Sequence, residues 1–443
     1  MFLKKQVILN LCFLLLPIWT FSQTTEYCKI GLFGEYSYYS DMAIEHILDT
    51  TYSINNDYQG NPQQLKLDLH YPNLMIDPLA KRPLVILVHG GGYVSGNKSD
   101  LDYYAMKLAK AGYVLANIDY RQGWEQGQGL CNGDTLQLKN AMYRGIQDLN
   151  AAFFFLSAKS NELRIDTNQV FLAGQSEGAM IAMHTAFLNQ TSADSFFTNA
   201  FANLGSIYNM ANPKDNFLHI KGIFNWCGAI IDTNMIQGDK NIPILSIHGL
   251  LDSVIFINNR NYQNCILPNH SYPMLHGPKL IYERLKNLGI CSQANYDING
   301  EHCFYPSLEE QNYIPSKSIC FFKNILCGNC ITEQKDGYNF QSCMEEAPLQ
   351  IESIGELNKI EIYPNPCNEN LYINIQFENK KYREIKISMI DINGLEVWHQ
   401  SEKDFSDNFY MQRIAIDNKF PKGIYILKIQ IESKIYYKKI SIL

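Results

Sequence analysis

The sequence predicts an α/β domain on a mostly parallel sheet, followed by a small all-β sandwich. From about Tyr27 to Leu326, short β-rich runs alternate with helical patterns, as parallel strands joined by crossover helices do. Over 354–443 the pattern is alternating and β-rich with turn signals, and no helix-period segment interrupts it. Between the two, 327–353 is polar and cysteine-bearing and reads as a linker. A chain of 443 residues suits two or three domains, and 46% hydrophobic content is enough for packed cores.

The chain opens Met1-Phe2-Leu3-Lys4-Lys5, then runs apolar from Val7 to Phe21 with breaks at Asn10 and Pro17. A basic start, a short apolar stretch and small residues near Ser22 predict a signal peptide over 1–22. A spanning helix would need about 20 unbroken apolar residues. No later segment is long and apolar enough to cross a bilayer. Cysteine usage agrees with export. Of 12 Cys only Cys12 lies in the leader, and the odd remainder predicts disulfides with at least one thiol unpaired. Cys320, Cys327, Cys330 and Cys343 include a C-x-x-C pair, half of a zinc site, but in an exported chain disulfides are the better reading. A net charge of −7 gives no basic excess, so nucleic acid is not an expected partner.

Along the first domain, Leu65 to Leu69 alternates like a half-exposed strand. Leu84 to Val88 is a continuous apolar run ending at His89-Gly90, the pattern of a buried central strand. A helix follows over Leu101–Lys110, a strand over Tyr113–Ile118 and a long helix over Leu136–Ser157. Val170–Ala173 is the next strand, and the helix Ala179–Phe187 begins just after a glycine-rich turn. Ile220–Trp226, Ile242–Ile247 and Ala294–Ile298 read as strands, Pro278–Leu288 and Ser316–Leu326 as helices. In the second domain the strands are Ile360–Tyr363, Leu371–Ile375, Ile385–Ile390, Ile424–Ile431 and Tyr436–Ile442.

The chemistry centres on Gly174-Gln175-Ser176-Glu177-Gly178, between an apolar strand and a helical pattern. Two glycines permit a tight turn that lifts the serine hydroxyl above the sheet edge, and the helix behind it offers free N–H groups. Directly after the buried strand comes His89-Gly90-Gly91-Gly92-Tyr93, where backbone N–H groups can approach a substrate carbonyl. A phosphate cradle would end in Gly-Lys-Ser/Thr at a helix start, which this run does not. An acid and then a histidine should follow on later loops. Asp252 lies just beyond the strand Ile242–Ile247 and is favoured over Asp232, which follows its strand less directly. His302 follows the last predicted core strand. His270 and His276 precede that strand and read as surface residues. His89 and His248 suit structural roles, and His184 reads as packing behind the serine. Trp124 is equally a pocket-lining or a core residue. No H-E-x-x-H or other metal-catalysis motif is present, and no cofactor is expected.

From about Leu65 to Phe304 these features resemble the α/β-hydrolase superfamily. Within it they resemble the His-Gly-Gly-Gly carboxylesterases and feruloyl or acetyl-xylan esterase-like enzymes. The supporting segments are Arg82 to Tyr93, Asp119-Tyr120-Arg121, and Tyr143 to Asp148 followed by Ala151-Ala152. The resemblance implies a Ser176, Asp252, His302 triad, an oxyanion hole of Gly91, Gly92 and Glu177 amides, and an acyl-enzyme mechanism on short acyl, acetyl or feruloyl esters. Relatives usually carry Ala after the nucleophile, so Glu177 is a departure; its carboxylate either tunes the site or points outward. A serine peptidase of the same fold and a non-catalytic adhesion protein are the competing functions. Peptidases of this kind usually carry a β-propeller, for which the chain has no room before the hydrolase domain.

In the second domain, Tyr363-Pro364-Asn365-Pro366, Asp391-Ile392-Asn393-Gly394 and Pro421-Lys422-Gly423 resemble the C-terminal sorting domain of the type IX secretion system. That implies passage across the outer membrane, with the secretion machinery as partner and a secreted or cell-surface destination. The other expected partner is a small-molecule or polysaccharide-linked ester.

Overall fold

The protein is described from a computed structural model. It describes residues 26–28, 32–34, 37–75, 77, 79–128, 131–208, 218–267, 270–304, 308–337, 357–377, 384–391, 394–403, 409–417, 419–431 and 434–443. The signal-peptide expectation over 1–22 lies outside them, as do Cys343 and the linker beyond residue 337.

Nine strands form the main sheet: β1 (Ile44–Asn56), β2 (Pro62–Pro72), β3 (Arg82–Val88), β4 (Val114–Ile118), β5 (Ile165–Gln175), β6 (Ile220–Trp226), β7 (Ile244–Gly249), β8 (Ser292–Asp297) and β9 (Glu333–Asp336). Their spatial order is β1-β2-β4-β3-β5-β6-β7-β8-β9. β1, β2 and β4 pair antiparallel; from β4 through β3 to β9 every pairing is parallel. Helices α1 (Asp102–Ala111), α2 (Thr135–Ala158), α3 (Glu177–Phe187), α4 (Pro278–Asn287) and α5 (Leu308–Leu326) cover both faces.

The period of two along β3 explains why its run is apolar throughout. Leu84, Ile86 and Val88 pack with α2, α3 and α4, whereas Val85 and Leu87 pack with α1 and α5 on the other face. Each such fully buried aliphatic contributes about 1.5–3 kcal/mol. The segments Asp119 to Arg121 and Tyr143 to Asp148 meet in this core. The buried Arg121 guanidinium pairs with Asp148 at 2.8 Å and donates to Gln147 at 2.9 Å, fixing the loop after β4 onto α2.

Several elements differ from the sequence reading. β1 escaped it because most of the strand is exposed and lacks alternation. α5 begins at Leu308, with Pro315 inside it rather than before it. The stretch read as linker contributes β9, a Glu-Gln-Lys-Asp edge strand with no apolar signal, paired with β8 from Gln293↔Glu333 to Tyr296↔Asp336. Cys327 and Cys330 do not converge on one site. They form disulfides with Cys28 and Cys291, while Cys131 pairs with Cys265 and Cys227 with Cys303. Cys320 is also disulfide-bonded, and Cys367 is buried and unpaired.

The C-terminal domain has a three-stranded sheet (Leu357–Tyr363, Asn370–Phe377, Phe409–Ala415) and a four-stranded one (Glu396–Lys403, Glu384–Ile390, Gly423–Ile431, Lys434–Ile442), both antiparallel. Alternate inward residues, among them Ile373, Ile375, Ile387, Leu427 and Ile440, form one apolar core between them.

Candidate active site

The loops that follow β3, β5, β7 and β8 leave the same carboxyl edge of the sheet, where parallel α/β folds place their sites. β5 ends at Gln175 and α3 starts at Glu177, so the whole strand-to-helix turn is Ser176. Its φ of 53° and ψ of −120° lie where non-glycine residues are rare, a strain of about 1–3 kcal/mol. The turn is held because the Ser176 N–H donates to the Trp226 carbonyl at 2.7 Å. It also needs Gly178, where a Cβ would lie 2.1 Å from the Val88 carbonyl oxygen.

The chain brings three distant side chains into line. Ser176 Oγ lies 2.7 Å from His302 Nε2, and His302 Nδ1 lies 2.7 Å from Asp252 Oδ2. The Asp252 side chain is buried, and its other oxygen accepts the N–H groups of Val254 at 2.9 Å and Ile255 at 2.8 Å. Ser176 is buried and the His302 ring is 24% exposed, so the imidazole forms the open side of the cluster. Burial lowers the His302 pKa, but the hydrogen bond and charge of Asp252, with the charge of Glu177, outweigh it and leave it raised above 6.5. Asp232 is placed elsewhere: its carboxylate accepts the Asn234 N–H and lies 4.0 Å from His276 Nδ1.

The glycine run is shaped by positive φ values of 125° at Gly91 and 68° at Gly92. A Cβ at Gly91 would lie 2.0 Å from the Ser95 carbonyl oxygen, so only glycine fits. Glu177 is buried rather than outward-facing, 2% exposed. One carboxylate oxygen accepts the Gly91 N–H at 3.1 Å and the other accepts the Tyr262 hydroxyl at 2.7 Å. The Gly91 amide is thereby occupied. The main-chain N–H groups of Gly92 and Glu177 have no hydrogen-bond partner among the described residues, which leaves both able to donate.

The other histidines separate clearly. His89 is buried, donates from Nδ1 to the Gly90 carbonyl at 2.6 Å and stacks on Tyr120 at 4.4 Å, which fixes the base of the glycine loop. His184 accepts the Ile231 N–H, and His276 accepts the Thr233 N–H. The His270 side chain is outside the described residues. His248 is also buried, and its Nε2 donates to the Ile255 carbonyl at 2.7 Å while lying 3.2 Å from Asp252 Oδ2. That contact was not legible in the sequence beyond the four-residue spacing between them. Trp124 is buried, with its indole N–H on the Asp134 carbonyl and its ring against Tyr262 and Tyr272. A cleft of about 740 Å³ is lined by Tyr58, Gln63, Asn97, Gln122 and Gln126, by the acidic Asp57, Asp119 and Glu125, and by Val94 and Gly96 just after the glycine run.

Residues 67–246 match the family BD-FAE, and residues 361–443 match the family described as secretion system C-terminal sorting domain. A probable isoprenylcysteine alpha-carbonyl methylesterase of Oryza sativa subsp. japonica is 28% identical over 196 residues, 42% of each chain. A non-reducing polyketide synthase of Aspergillus novofumigatus is 31% identical over 121 residues, 27% of this chain and 5% of that one. The chain spans less than half the length of these relatives. Among solved structures, an esterase of Thermogutta terrifontis aligns with 14% identity and a TM-score of 0.43, over 66% of this chain and 96% of that one.

Proposed function

We propose that this chain, in which residues 67–246 match BD-FAE and residues 361–443 match the secretion system C-terminal sorting domain, is an exported serine ester hydrolase of the α/β-hydrolase type working through an acyl-enzyme. The observation that carries this reading is the unbroken relay Ser176 Oγ, His302 Nε2, His302 Nδ1, Asp252 Oδ2, with 2.7 Å at each hydrogen bond. His302 takes the Ser176 proton as Oγ attacks the ester carbonyl, and Asp252 stabilises the imidazolium. The Gly92 and Glu177 amides receive the oxyanion, while the Glu177 carboxylate and Tyr262 hold the glycine loop in shape. His302 then gives its proton to the departing alcohol, and a water activated by the same imidazole releases the acid. The amide and acidic side chains of the neighbouring cleft, Gln63, Gln122, Gln126, Asp57, Asp119 and Glu125, offer hydrogen bonds to a hydroxyl-bearing leaving group on a short acyl, acetyl or feruloyl ester. A panel of p-nitrophenyl esters and aminoacyl nitroanilides, run beside Ser176→Ala, tests the reading. Ester turnover lost in the variant is expected; turnover of the anilides alone would assign a peptidase.

The base must be neutral to act, and its pKa is raised. Activity is therefore expected to climb as pH rises through a value above 6.5, set by the charges of Asp252 and Glu177. Glu177→Gln removes one of the groups that raise it, so the acidic limb of kcat/KM should move to lower pH. An unmoved limb would show that the carboxylate does not act on the base.

Residues 354–443 are proposed to direct passage across the outer membrane. The strand Lys434–Ile442 pairs with Gly423–Ile431 and buries Ile440 and Ile442, and Leu443 N–H reaches the Cys367 carbonyl at 2.9 Å. Removing residues 434–443 opens that core and exposes an edge. The truncated protein is expected to accumulate in the periplasm; unchanged delivery to the medium or cell surface would contradict it.

A further inference from the structure

We propose that Cys227, Cys303 and His302 form a latent metal site. Closed as a disulfide it leaves the base free; opened by reduction it binds Zn²⁺ and withdraws His302 from catalysis. The inference rests on the reading of His302 as general base. It starts from the placement of three elements. Cys227 directly follows β6, whose Trp226 carbonyl holds the Ser176 N–H, and Cys303 directly follows His302. The disulfide between them therefore ties the base to the foot of the nucleophile turn.

Both sulfurs and a His302 nitrogen lie within 4.8 Å of one another, the one such grouping among the described residues. Cys303 Sγ is 3.5 Å from His302 Nε2. Tetrahedral zinc, with Zn–S of about 2.3 Å and Zn–N of about 2.05 Å, sets sulfur and nitrogen about 3.5 Å apart. Cys227 is buried while Cys303 and His302 are part-exposed, so the set is anchored on one side and reachable by a cation on the other. Disulfide sulfurs are poor ligands and thiolates are strong ones, so the oxidation state decides whether the site exists.

The chemistry balances with a small dithiol as reductant. It delivers two electrons and two protons to the Cys227–Cys303 bond, which breaks to two thiols as the dithiol closes to its own disulfide. Zinc binding releases both thiol protons to solvent and occupies the lone pair of Nε2. Ser176 Oγ, 2.7 Å from that atom, loses its proton acceptor.

The test uses the full secreted chain, oxidised or reduced with dithiol and freed of excess reductant, then titrated with ZnCl₂ or CoCl₂. Zinc should lower ester turnover of the reduced protein by about a hundredfold or more, with recovery on adding EDTA, and should spare the oxidised protein. In Cys227→Ala/Cys303→Ala the ratio of rates without and with zinc should fall to near one. Cys131→Ala/Cys265→Ala, reduced in the same way, should keep the full zinc sensitivity. Cobalt should give the reduced wild type a stronger thiolate-to-metal charge-transfer band than the Cys227→Ala/Cys303→Ala variant, whose other reduced cysteines set the background. That band is read without any turnover, so it stands or falls separately from the esterase reading. A band no stronger in the reduced wild type than in the Cys227/Cys303 variant, or equal zinc inhibition of the two, would overturn the proposal.

Discussion

Ser176→Ala is expected to lower kcat for a p-nitrophenyl ester by about a million-fold, leaving only the rate supplied by binding and the oxyanion donors. His302→Ala should cost about as much, and the double variant little more than either single one. The reason lies in the relay. Among the described residues, Ser176 Oγ has one proton acceptor within hydrogen-bond reach, His302 Nε2 at 2.7 Å, so either deletion disables the same step. Non-additivity distinguishes this from two independent binding losses, whose effects would multiply. Neither change should unfold the protein. Ser176 loses one oxygen, and the turn is held by its main-chain bond to Trp226 and by Gly178. The measurement is single-turnover kinetics on all three variants with melting curves beside them. Independent, multiplying losses would contradict the shared step.

Asp252→Asn should lower kcat by about ten-thousand-fold with little change in melting temperature. The direction follows from which oxygen is already committed. Asp252 Oδ1 accepts two main-chain N–H groups, from Val254 and Ile255, so an asparagine must keep its carbonyl there. Its NH₂ then takes the place of Oδ2, 2.7 Å from His302 Nδ1 and 3.2 Å from His248 Nε2. An NH₂ facing His302 Nδ1 forces that nitrogen to accept, which puts the proton on Nε2 and points a donor at Ser176. His248 aggravates this, because its Nε2–H is fixed as a donor by the Ile255 carbonyl. A drop of only a few-fold would mean that Asp252 does not set the tautomer.

The fold was legible where burial on both faces produced unbroken apolar runs. Leu84 to Val88 reads as a central strand because α1 and α5 cover one side and α2, α3 and α4 the other. Edge elements were not, since β1 and β9 are held by backbone pairing and carry largely polar or exposed side chains. At the site, local rules marked Ser176 by its flanking glycines, Gly91 and Gly92 by their run, and Asp252 and His302 by following strands; the Ser176, His302 and Asp252 side chains meet, whereas the Gly91 amide is taken by Glu177. Partnerships between distant segments could not. Tyr262 lies 85 residues from Glu177, and no pattern in the sequence tells that its hydroxyl meets the Glu177 carboxylate. The consequence, a Gly91 amide occupied before substrate arrives, was hidden for the same reason. Cysteine pairing is equally silent in sequence, and Cys227 with Cys303 joins two loops that only the sheet order brings together.

The central claim is that Ser176 is the nucleophile of an ester hydrolase, and a fluorophosphonate ester tests it most directly. The reagent is added to the secreted protein, and the adduct is located by peptide mass mapping. One phosphonyl group per chain on Ser176, absent when His302 is replaced by Ala, is the expected result. An unlabelled Ser176, or a label on another residue with Ser176 intact, would contradict it.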